Sequence, residues 1–333
     1  MRFGATILDA DGLRLTQEEI ALFRDTQPFG FILFARNIEN TDQVRALCDD
    51  FREAVGREAM ITIDQEGGRV QRLRPPLARE WLPPLDFVRQ AADPARALYL
   101  RYRIIAEELR ALGIDSNCAP LVDVATEATH PFLRNRCYGS QPDTVARLGR
   151  AVAQAHLDGG VLPILKHMPG HGRATIDSHE SLPAIDASIE VLRQTDFAPF
   201  RALNDLPMAM TAHIVVSDLD DKPATLSPLV MRIMREEIGF DGLIMTDDIG
   251  MRALSGTPAD IARQSLMAGC DVVLSCNAPL ADRIAVVEAA GEMTDAAQRR
   301  AEAALTWRHA PQPVDIDDLT SELDALMGGR VDG

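Results

Sequence analysis

Eight short apolar runs recur along the chain, and segments with helical periodicity separate most of them. The runs are GATILDA (4–10), FGFILFA (29–35), AMITID (59–64), SNCAPLVDV (116–124), LPILKH (162–167), MAMTAHIVV (208–216), GLIMTD (242–247) and DVVLSC (271–276). Nearly continuous apolar runs are typical of strands that are covered on both faces, so they favour a parallel sheet. Helices with ordinary start and stop residues are predicted over 94–113, 143–160 and 227–239.

Eight β-α units within 333 residues predict an α/β protein with a single-domain (β/α)8 TIM-type barrel. The strands are irregularly spaced, so a doubly wound sheet remains the alternative. We assign residues 1–310 to the barrel. We expect residues 311–333 to form a loosely attached C-terminal tail.

Composition and charge narrow the possible partners. The net charge of −16 repels phosphate backbones and anionic lipids, which argues against nucleic acid and membrane surfaces as partners. The first residues contain no long apolar run, so neither a signal peptide nor a transmembrane segment is expected. The five cysteines include no C-x-x-C pair, which indicates reduced thiols and a cytoplasmic location.

Polar side chains collect at or just after six of the predicted strands. They are Asp64, Asp123, Lys166, His167, His213, Asp247, Asp248 and Asn277. A single aspartate after a strand is more often a helix cap, and a single histidine is usually structural. In a barrel, however, the carboxyl ends of the strands share one face, and functional groups lie there. The pattern therefore predicts one site built from several strands.

The segment KHMPGHG (166–172) contains Lys166, one of only two lysines among 34 lysines and arginines. Lysine differs from arginine where a compact ammonium must reach one point, so a specific contact is expected here. The segment leads to Asp177-Ser178-His179. An aspartate close to a histidine can orient the ring and raise its basicity for acid-base catalysis. The alternative is an Asx-turn with a surface histidine, which the triplet by itself favours.

Five segments in order resemble the successive motifs of family 3 glycoside hydrolases. They are ITIDQEGGRVQRL, KHMPGHG, DSHESLP, MTAHI and GFDGLIMTDDIGM, and the similarity extends over residues 4–277. The resemblance is strongest to the single-domain bacterial β-N-acetylglucosaminidases of peptidoglycan recycling, the NagZ type. It implies a TIM-type barrel, retention of the β-configuration, and no metal or organic cofactor. The implied substrates are GlcNAc-anhydroMurNAc peptides, and we expect a cytoplasmic monomer.

The resemblance also implies catalytic roles. The nucleophile corresponds to Asp247 rather than its neighbour Asp248, and the acid/base corresponds to His179 with Asp177 as its partner. A histidine in this role departs from the usual pair of carboxyl groups in glycosidases. The implied function is release of terminal N-acetylglucosamine from muropeptides through a covalent glycosyl-Asp247 intermediate.

Sugar-binding roles follow from the same resemblance. They fall on Asp64, Arg72, Arg136, Lys166 and His167. The stretch LRNRCYG departs from the family's G-D-R-S-F pattern, so Arg134 competes with Arg136 for the sugar contact. His171 and His213 are expected to line the site and support its loops.

Two other functions fit parts of the pattern. A zinc-dependent barrel metallohydrolase could use His167, His171, His179, His213 and Asp247 as ligands. Barrel metallohydrolases usually carry an H-x-H pair on the first strand, however, and ATILDA has none. A catalytically inactive sugar-binding module is the other alternative, and the intact Asp247, Asp177 and His179 argue against it.

Overall fold

The computed structural model describes residues 2–178 and 181–329 and has an α/β fold. The strands are β1 (Gly4–Leu8), β2 (Pro28–Leu33), β3 (Met60–Ile63), β4 (Gln65–Gly67), β5 (Val70–Gln71), β6 (Ser116–Asn117), β7 (Leu162–Met168), β8 (Ala184–Ile185), β9 (Met208–Thr211), β10 (Val215–Val216), β11 (Leu243–Met245) and β12 (Val273–Ser275). The α-helices are α1 (Gln17–Thr26), α2 (Thr41–Val55), α3 (Pro84–Gln90), α4 (Pro94–Ala111), α5 (Pro131–Arg134), α6 (Pro142–Asp158), α7 (Ile189–Gln194), α8 (Phe197–Ala202), α9 (Pro228–Arg232), α10 (Pro258–Ala268), α11 (Leu280–Ala290), α12 (Asp295–Leu305) and α13 (Ile316–Leu326). A strand occurs within each of the eight predicted runs.

Two four-stranded parallel sheets form the centre of the molecule. Their strand orders are β12-β1-β2-β3 and β11-β9-β7-β6. Where the β3 edge of one sheet lies beside the β6 edge of the other, the Cys118 amide donates to the Ile63 carbonyl at 2.9 Å. Where the β11 edge lies beside the β12 edge, Met245 and Val272 form an isolated parallel bridge. All residues of β1, β2, β3 and β7 are buried, which explains why these strands are apolar throughout rather than alternating.

Two predicted strands are shorter than expected. The run 116–124 forms only the two-residue β6, and beyond it the pairing with β7 continues as an isolated bridge between Leu121 and Lys166. The run 208–216 divides into β9, which pairs with β7, and β10, which pairs with β8 instead. These breaks leave irregular backbone beside the carboxyl ends of β7 and β9, where side chains can be aimed at a ligand.

The predicted helices are present with adjusted ends. Asp93 caps α4 by accepting hydrogen bonds from the amides of Ala95 and Arg96, and Pro94 occupies its first turn. The predicted helix 227–239 is α9 followed by a π-helical turn over Ile233–Glu237. The helices α4 and α6 pack together, and α6 and α8 contact β7. They thereby cover the strand that carries Lys166.

The C-terminal segment packs on the rest of the fold, whereas the sequence suggested a loosely attached tail. Its helix α13 packs on α4, and Arg96 forms a bidentate ion pair with Glu322, with both N···O distances at 2.6 Å. Leu323 is buried, and the Ala92 amide donates to the Leu326 carbonyl at 2.9 Å. The apolar spacing of Leu319, Leu323 and Leu326 places one side of α13 against the core. The division of the chain at residue 310 stays a prediction.

The cysteine side chains lie in the interior of the fold. All five cysteines lie in the described part of the chain, are buried and form no disulfide. Burial raises the pKa of the Cys48 and Cys118 thiols to about 12, so these groups stay protonated. Within residues 2–178 and 181–329, no helix combines the length and apolar content that crossing a bilayer requires.

Candidate active site

One cavity of about 520 Å³ contains side chains from loops and from the carboxyl ends of several strands. Seven of the eight predicted catalytic and sugar-binding residues line it: Asp64, Arg72, Arg136, Lys166, His167, Asp177 and Asp247. The eighth, His179, lies outside the described residues. The structure therefore brings together groups that are as far apart as 64 and 247 in the sequence, while their individual roles stay predictions.

Lys166 lies between two carboxylates at the floor of this cavity. Its Nζ is 2.9 Å from Asp64 Oδ1 and 2.6 Å from Glu66 Oε1, and its side chain is only 2% exposed. Arg72 Nη2 donates to the other oxygen of Asp64 at 2.9 Å. Arg136 holds Glu66 in a bidentate pair at 2.8 and 2.9 Å. Two carboxylates and three cations thus form one connected network.

The network keeps its groups charged despite burial. Burial raises the pKa of Asp64, but Lys166 and Arg72 outweigh it and hold that pKa well below its usual range. Burial likewise raises the pKa of Glu66, and Arg136 and Lys166 bring it down to about 2. Burial lowers the pKa of Lys166, whereas Asp64 and Glu66 hold it above its usual value. Fixed charges of this kind make strong, directional hydrogen bonds to sugar hydroxyls.

Glu66 is a charged residue of this network that the sequence analysis missed. It does not line the cavity, but it connects the two buried cations Lys166 and Arg136. Its carbonyl accepts a hydrogen bond from Arg101, and a Cβ at Gly67 would lie 1.8 Å from Arg101 Nη2. A detectable signal was present, since Glu66 follows Asp64 by two residues and this spacing places side chains on one face of an extended chain.

The structure distinguishes the two arginines of LRNRCYG. Arg136 is 9% exposed and lines the cavity. Arg134 is exposed at the end of α5, and its Nη1 is 3.4 Å from the Glu127 carbonyl. The position of Arg136 is therefore the one from which a guanidinium reaches the site.

Asp123 orients two histidines that line the cavity. Its Oδ2 is 2.7 Å from His167 Nδ1, and its Oδ1 accepts the His171 amide at 2.6 Å. An ionised carboxylate only accepts, so His167 Nδ1 carries a proton and donates a hydrogen bond to Asp123. Burial, with a smaller contribution from His167, lowers the pKa of His171 to about 4. His171 is therefore neutral at neutral pH and poorly suited to donating a proton there.

The neighbours Asp247 and Asp248 have different environments. Asp248 Oδ1 accepts the amides of Gly250 at 3.0 Å and Cys276 at 3.3 Å, and burial raises its pKa. Asp247 Oδ1 accepts the adjacent Asp248 amide at 2.8 Å. Burial raises the pKa of Asp247, but His213 and other neighbours hold it below its usual value. Asp248 thus shapes the turn, and Asp247 presents an ionised carboxylate.

His213 does not line the cavity, which corrects the expectation for this residue. Its Nε2 is 3.0 Å from the Asp248 carbonyl, and its Nδ1 is 2.8 Å from Thr225 Oγ1. Because a carbonyl oxygen only accepts, Nε2 carries the proton and donates a hydrogen bond to the Asp248 backbone carbonyl. His213 therefore supports the turn that carries Asp247.

The loop after β7 is anchored by close backbone contacts. A Cβ at Gly172 would lie 2.0 Å from the Val124 carbonyl oxygen, so only glycine fits there. Gly170 has φ of 134° and packs on Asp196, whose Oδ2 accepts Arg173 Nε at 2.7 Å. This anchoring explains the glycines of KHMPGHG and leads the chain to Asp177 and Ser178, which both line the cavity.

The zinc alternative finds no ligand set in the described chain. Within residues 2–178 and 181–329, no group of three or more His, Cys, Asp or Glu side chains is arranged to hold a metal ion. Of the five proposed ligands, His213 is turned to Thr225 and Asp248, and His167 Nδ1 is held by Asp123.

Replacing Lys166 by arginine should lower kcat/KM at least about tenfold, because a charged hydrogen bond contributes about 1.5–3 kcal/mol. The planar guanidinium is wider than the ammonium, and the space between Asp64 and Glu66 already borders Arg136. Steady-state kinetics on variants with wild-type circular dichroism provide the measurement. Lys222→Arg is the matched control, since the other lysine is exposed. Near wild-type kinetics for Lys166→Arg would contradict a specific role for the ammonium.

Known proteins resemble this chain over most of its length. Residues 6–306 match the glycosyl hydrolase family 3 N-terminal domain. The β-hexosaminidase of Alkalilimnicola ehrlichii is 36% identical over 287 residues, covering 84% of this chain and 82% of the relative. The β-hexosaminidase of Bordetella avium is 37% identical over 293 residues, with the same coverage of both chains.

Solved structures show the same similarity. NagZ from Neisseria gonorrhoeae in complex with N-trifluoroacetyl-D-glucosamine has a TM-score of 0.81 and 30% identity, covering 98% of this chain and 99% of that one. A family 3 β-N-acetylglucosaminidase from Paenibacillus sp. str. FPU-7 has a TM-score of 0.87 and 29% identity. The match covers 97% of this chain but only 66% of the Paenibacillus chain.

Proposed function

Because the chain belongs to glycosyl hydrolase family 3, we propose that it is a retaining exo-β-N-acetylglucosaminidase. The observation that carries the proposal is the position of Asp247. It is an ionised carboxylate in the same cavity as the Asp64–Lys166 pair and Asp177. A terminal sugar bound at the charged floor would lie beside the nucleophile Asp247, which follows β11, and beside a proton donor on the loop after β7.

The proposed reaction has two steps. Asp247 attacks the anomeric carbon as the glycosidic bond breaks, and the leaving oxygen takes a proton from His179, oriented by Asp177. Water then gives a proton to His179 and attacks the same carbon, which releases Asp247 and a sugar of unchanged configuration. A histidine with a pKa near neutral can serve as the acid and then as the base.

The sugar subsite that we propose uses the floor of the cavity. Asp64, Arg72 and Lys166 offer one acceptor and two cationic donors to adjacent hydroxyls, and Arg136 and His167 complete the set. Preference for N-acetylglucosamine is supported by the Neisseria relative, whose structure contains N-trifluoroacetyl-D-glucosamine. The β-hexosaminidase relatives support the same assignment.

The physiological substrate that we propose is a muropeptide fragment, a GlcNAc-anhydroMurNAc peptide. The support is the similarity to NagZ of Neisseria gonorrhoeae over nearly the whole of both chains. We further propose that the protein acts in the cytoplasm as a monomer, with no metal or organic cofactor. The acidic net charge of −16 is consistent with a dissolved small substrate rather than a polyanion.

We infer that the two parallel sheets close into one TIM-type (β/α)8 barrel. The eight strands lie in sequential order, without the reversal of a doubly wound sheet. The hydrogen bond from Cys118 to Ile63 and the bridge between Met245 and Val272 span the two gaps. A closed barrel would bring the end of every strand to the same face.

Hydrolysis of aryl β-glycosides tests the proposed function. We expect much higher kcat/KM when C2 carries an N-acetyl group than when it carries a hydroxyl, and ¹H NMR should show the β-anomer as first product. Activity should survive exhaustive treatment with EDTA. Higher kcat/KM on the β-glucoside would overturn the substrate assignment. Loss of activity that zinc restores would instead support the zinc-dependent metallohydrolase.

A further inference from the structure

Arg69 lies at the turn of the β4–β5 hairpin and lines the active-site cavity. Its side chain is exposed, yet its guanidinium carbon is 3.1 Å from the centre of the Phe132 ring. Stacking of a planar cation on an aromatic face restricts the position of the guanidinium without consuming its N–H donors. Arg69 is thus a fixed cation with its donors available.

Arg69 differs from the other cations that line the cavity. Arg72 and Lys166 pair with Asp64, and Arg136 pairs with Glu66. Within residues 2–178 and 181–329, no hydrogen bond or ion pair involves the Arg69 guanidinium. Partial burial and the neighbouring Arg136 lower the pKa of Arg69, with Asp177 and Glu66 acting in the opposite sense. The site therefore offers a positive charge that is not compensated by direct contact.

The position of Arg69 identifies the part of the substrate that it faces. Lys166 and Arg136 are buried at the floor, whereas Arg69 lies with exposed Ile176 at the rim. Arg69 also interacts electrostatically with Asp177, on the loop that leads to the proposed acid/base. The acid/base must reach the leaving oxygen, so groups beside this loop face the leaving group rather than the terminal sugar.

We propose that Arg69 binds a carboxylate of the leaving group and makes the enzyme selective for anionic aglycones. The inference rests on the proposed function. The side of the cavity that faces the leaving group is deduced from the proposed roles of Asp247 and of the loop that contains Asp177. Arginine and carboxylate match as two parallel N–H···O bonds, and a cation stacked on a ring is oriented for that geometry. The carboxylate can come from the lactyl group of a muramyl unit or from a peptide attached to it.

Matched disaccharides test this proposal. The substrates are GlcNAc-β-1,4-MurNAc with a free lactyl carboxylate, the same sugar with that carboxyl converted to a methylamide, and the same sugar carrying one alanine with a free carboxylate. For the wild-type protein we expect at least one acid to exceed the methylamide in kcat/KM. Arg69→Gln should reduce that acid-to-amide ratio about ten- to a hundredfold.

The controls separate this inference from the proposed function. Arg89→Gln, at an exposed arginine of α3 outside the cavity, should keep the wild-type ratio. The acid that loses its advantage in Arg69→Gln identifies the source of the carboxylate. If the wild type cleaves an aryl N-acetylglucosaminide but Arg69→Gln leaves the ratio intact, Arg69 is not the receptor. If the wild type cleaves no β-N-acetylglucosaminide, the proposed function itself is wrong.

Discussion

Replacing Asp247 by alanine should lower kcat/KM on the order of 10⁴-fold or more for every β-N-acetylglucosaminide, whatever its leaving group. In the proposed mechanism this carboxylate both stabilises positive charge at the anomeric carbon and forms the bond in the first step. Its pKa is held below the usual value, so the attacking form is already ionised at neutral pH. Kinetics on an aryl glycoside and on a disaccharide measure the loss with two leaving groups of different basicity.

The neighbouring aspartate supplies the matched control. Asp248→Asn keeps a side-chain oxygen for the amides of Gly250 and Cys276, so it should cost far less than Asp247→Ala. Azide should enter the space left in Asp247→Ala and attack an activated substrate from the nucleophile's face, giving the α-glycosyl azide. A greater loss in Asp248→Asn than in Asp247→Ala would exchange the two roles.

The sequence predicted the existence of the strands better than their lengths. Buried parallel strands need apolar residues on both faces, and this requirement leaves a direct trace in the sequence. Where β6 ends and where β9 gives way to β10 depends on partners that are distant in the sequence, such as β7 and β8. The docking of α13 on α4 was missed because its apolar stripe is short and lies in an acidic segment.

The residues of the candidate site were likewise predicted only in part. Residues that face the cavity, such as Asp64 and Lys166, fall in segments that are recognisable by their motifs. Glu66 and the arrangement around Asp123 depend on contacts across the fold, with Glu66 bound to residues 70 and 100 positions away in Arg136 and Lys166. His213 illustrates the reverse case, since its position after a strand suggested the cavity although its ring supports a turn.

His179→Ala should separate substrates by leaving group. A disaccharide needs a proton on its leaving oxygen and should lose about 10²–10⁴-fold in kcat/KM, the usual contribution of a general acid. An acidic phenol leaves without a proton, so the first step with such an aryl glycoside should be largely spared. The second step then limits turnover because water has lost its base. The glycosyl ester on Asp247 should accumulate, and intact-protein mass spectrometry would detect it.

Azide distinguishes this outcome from general damage to the site. It needs no base, so it should restore turnover of the aryl glycoside by His179→Ala and give the β-glycosyl azide, the opposite anomer to that from Asp247→Ala. His309→Ala, at an exposed histidine, should behave as wild type. If His179→Ala slows both substrates equally and azide has no effect, the acid/base lies elsewhere. His171 is then a poor replacement, because a group with a pKa of about 4 is almost entirely deprotonated at neutral pH. Asp248, which also lines the cavity and whose pKa is raised by burial, would be the next residue to replace.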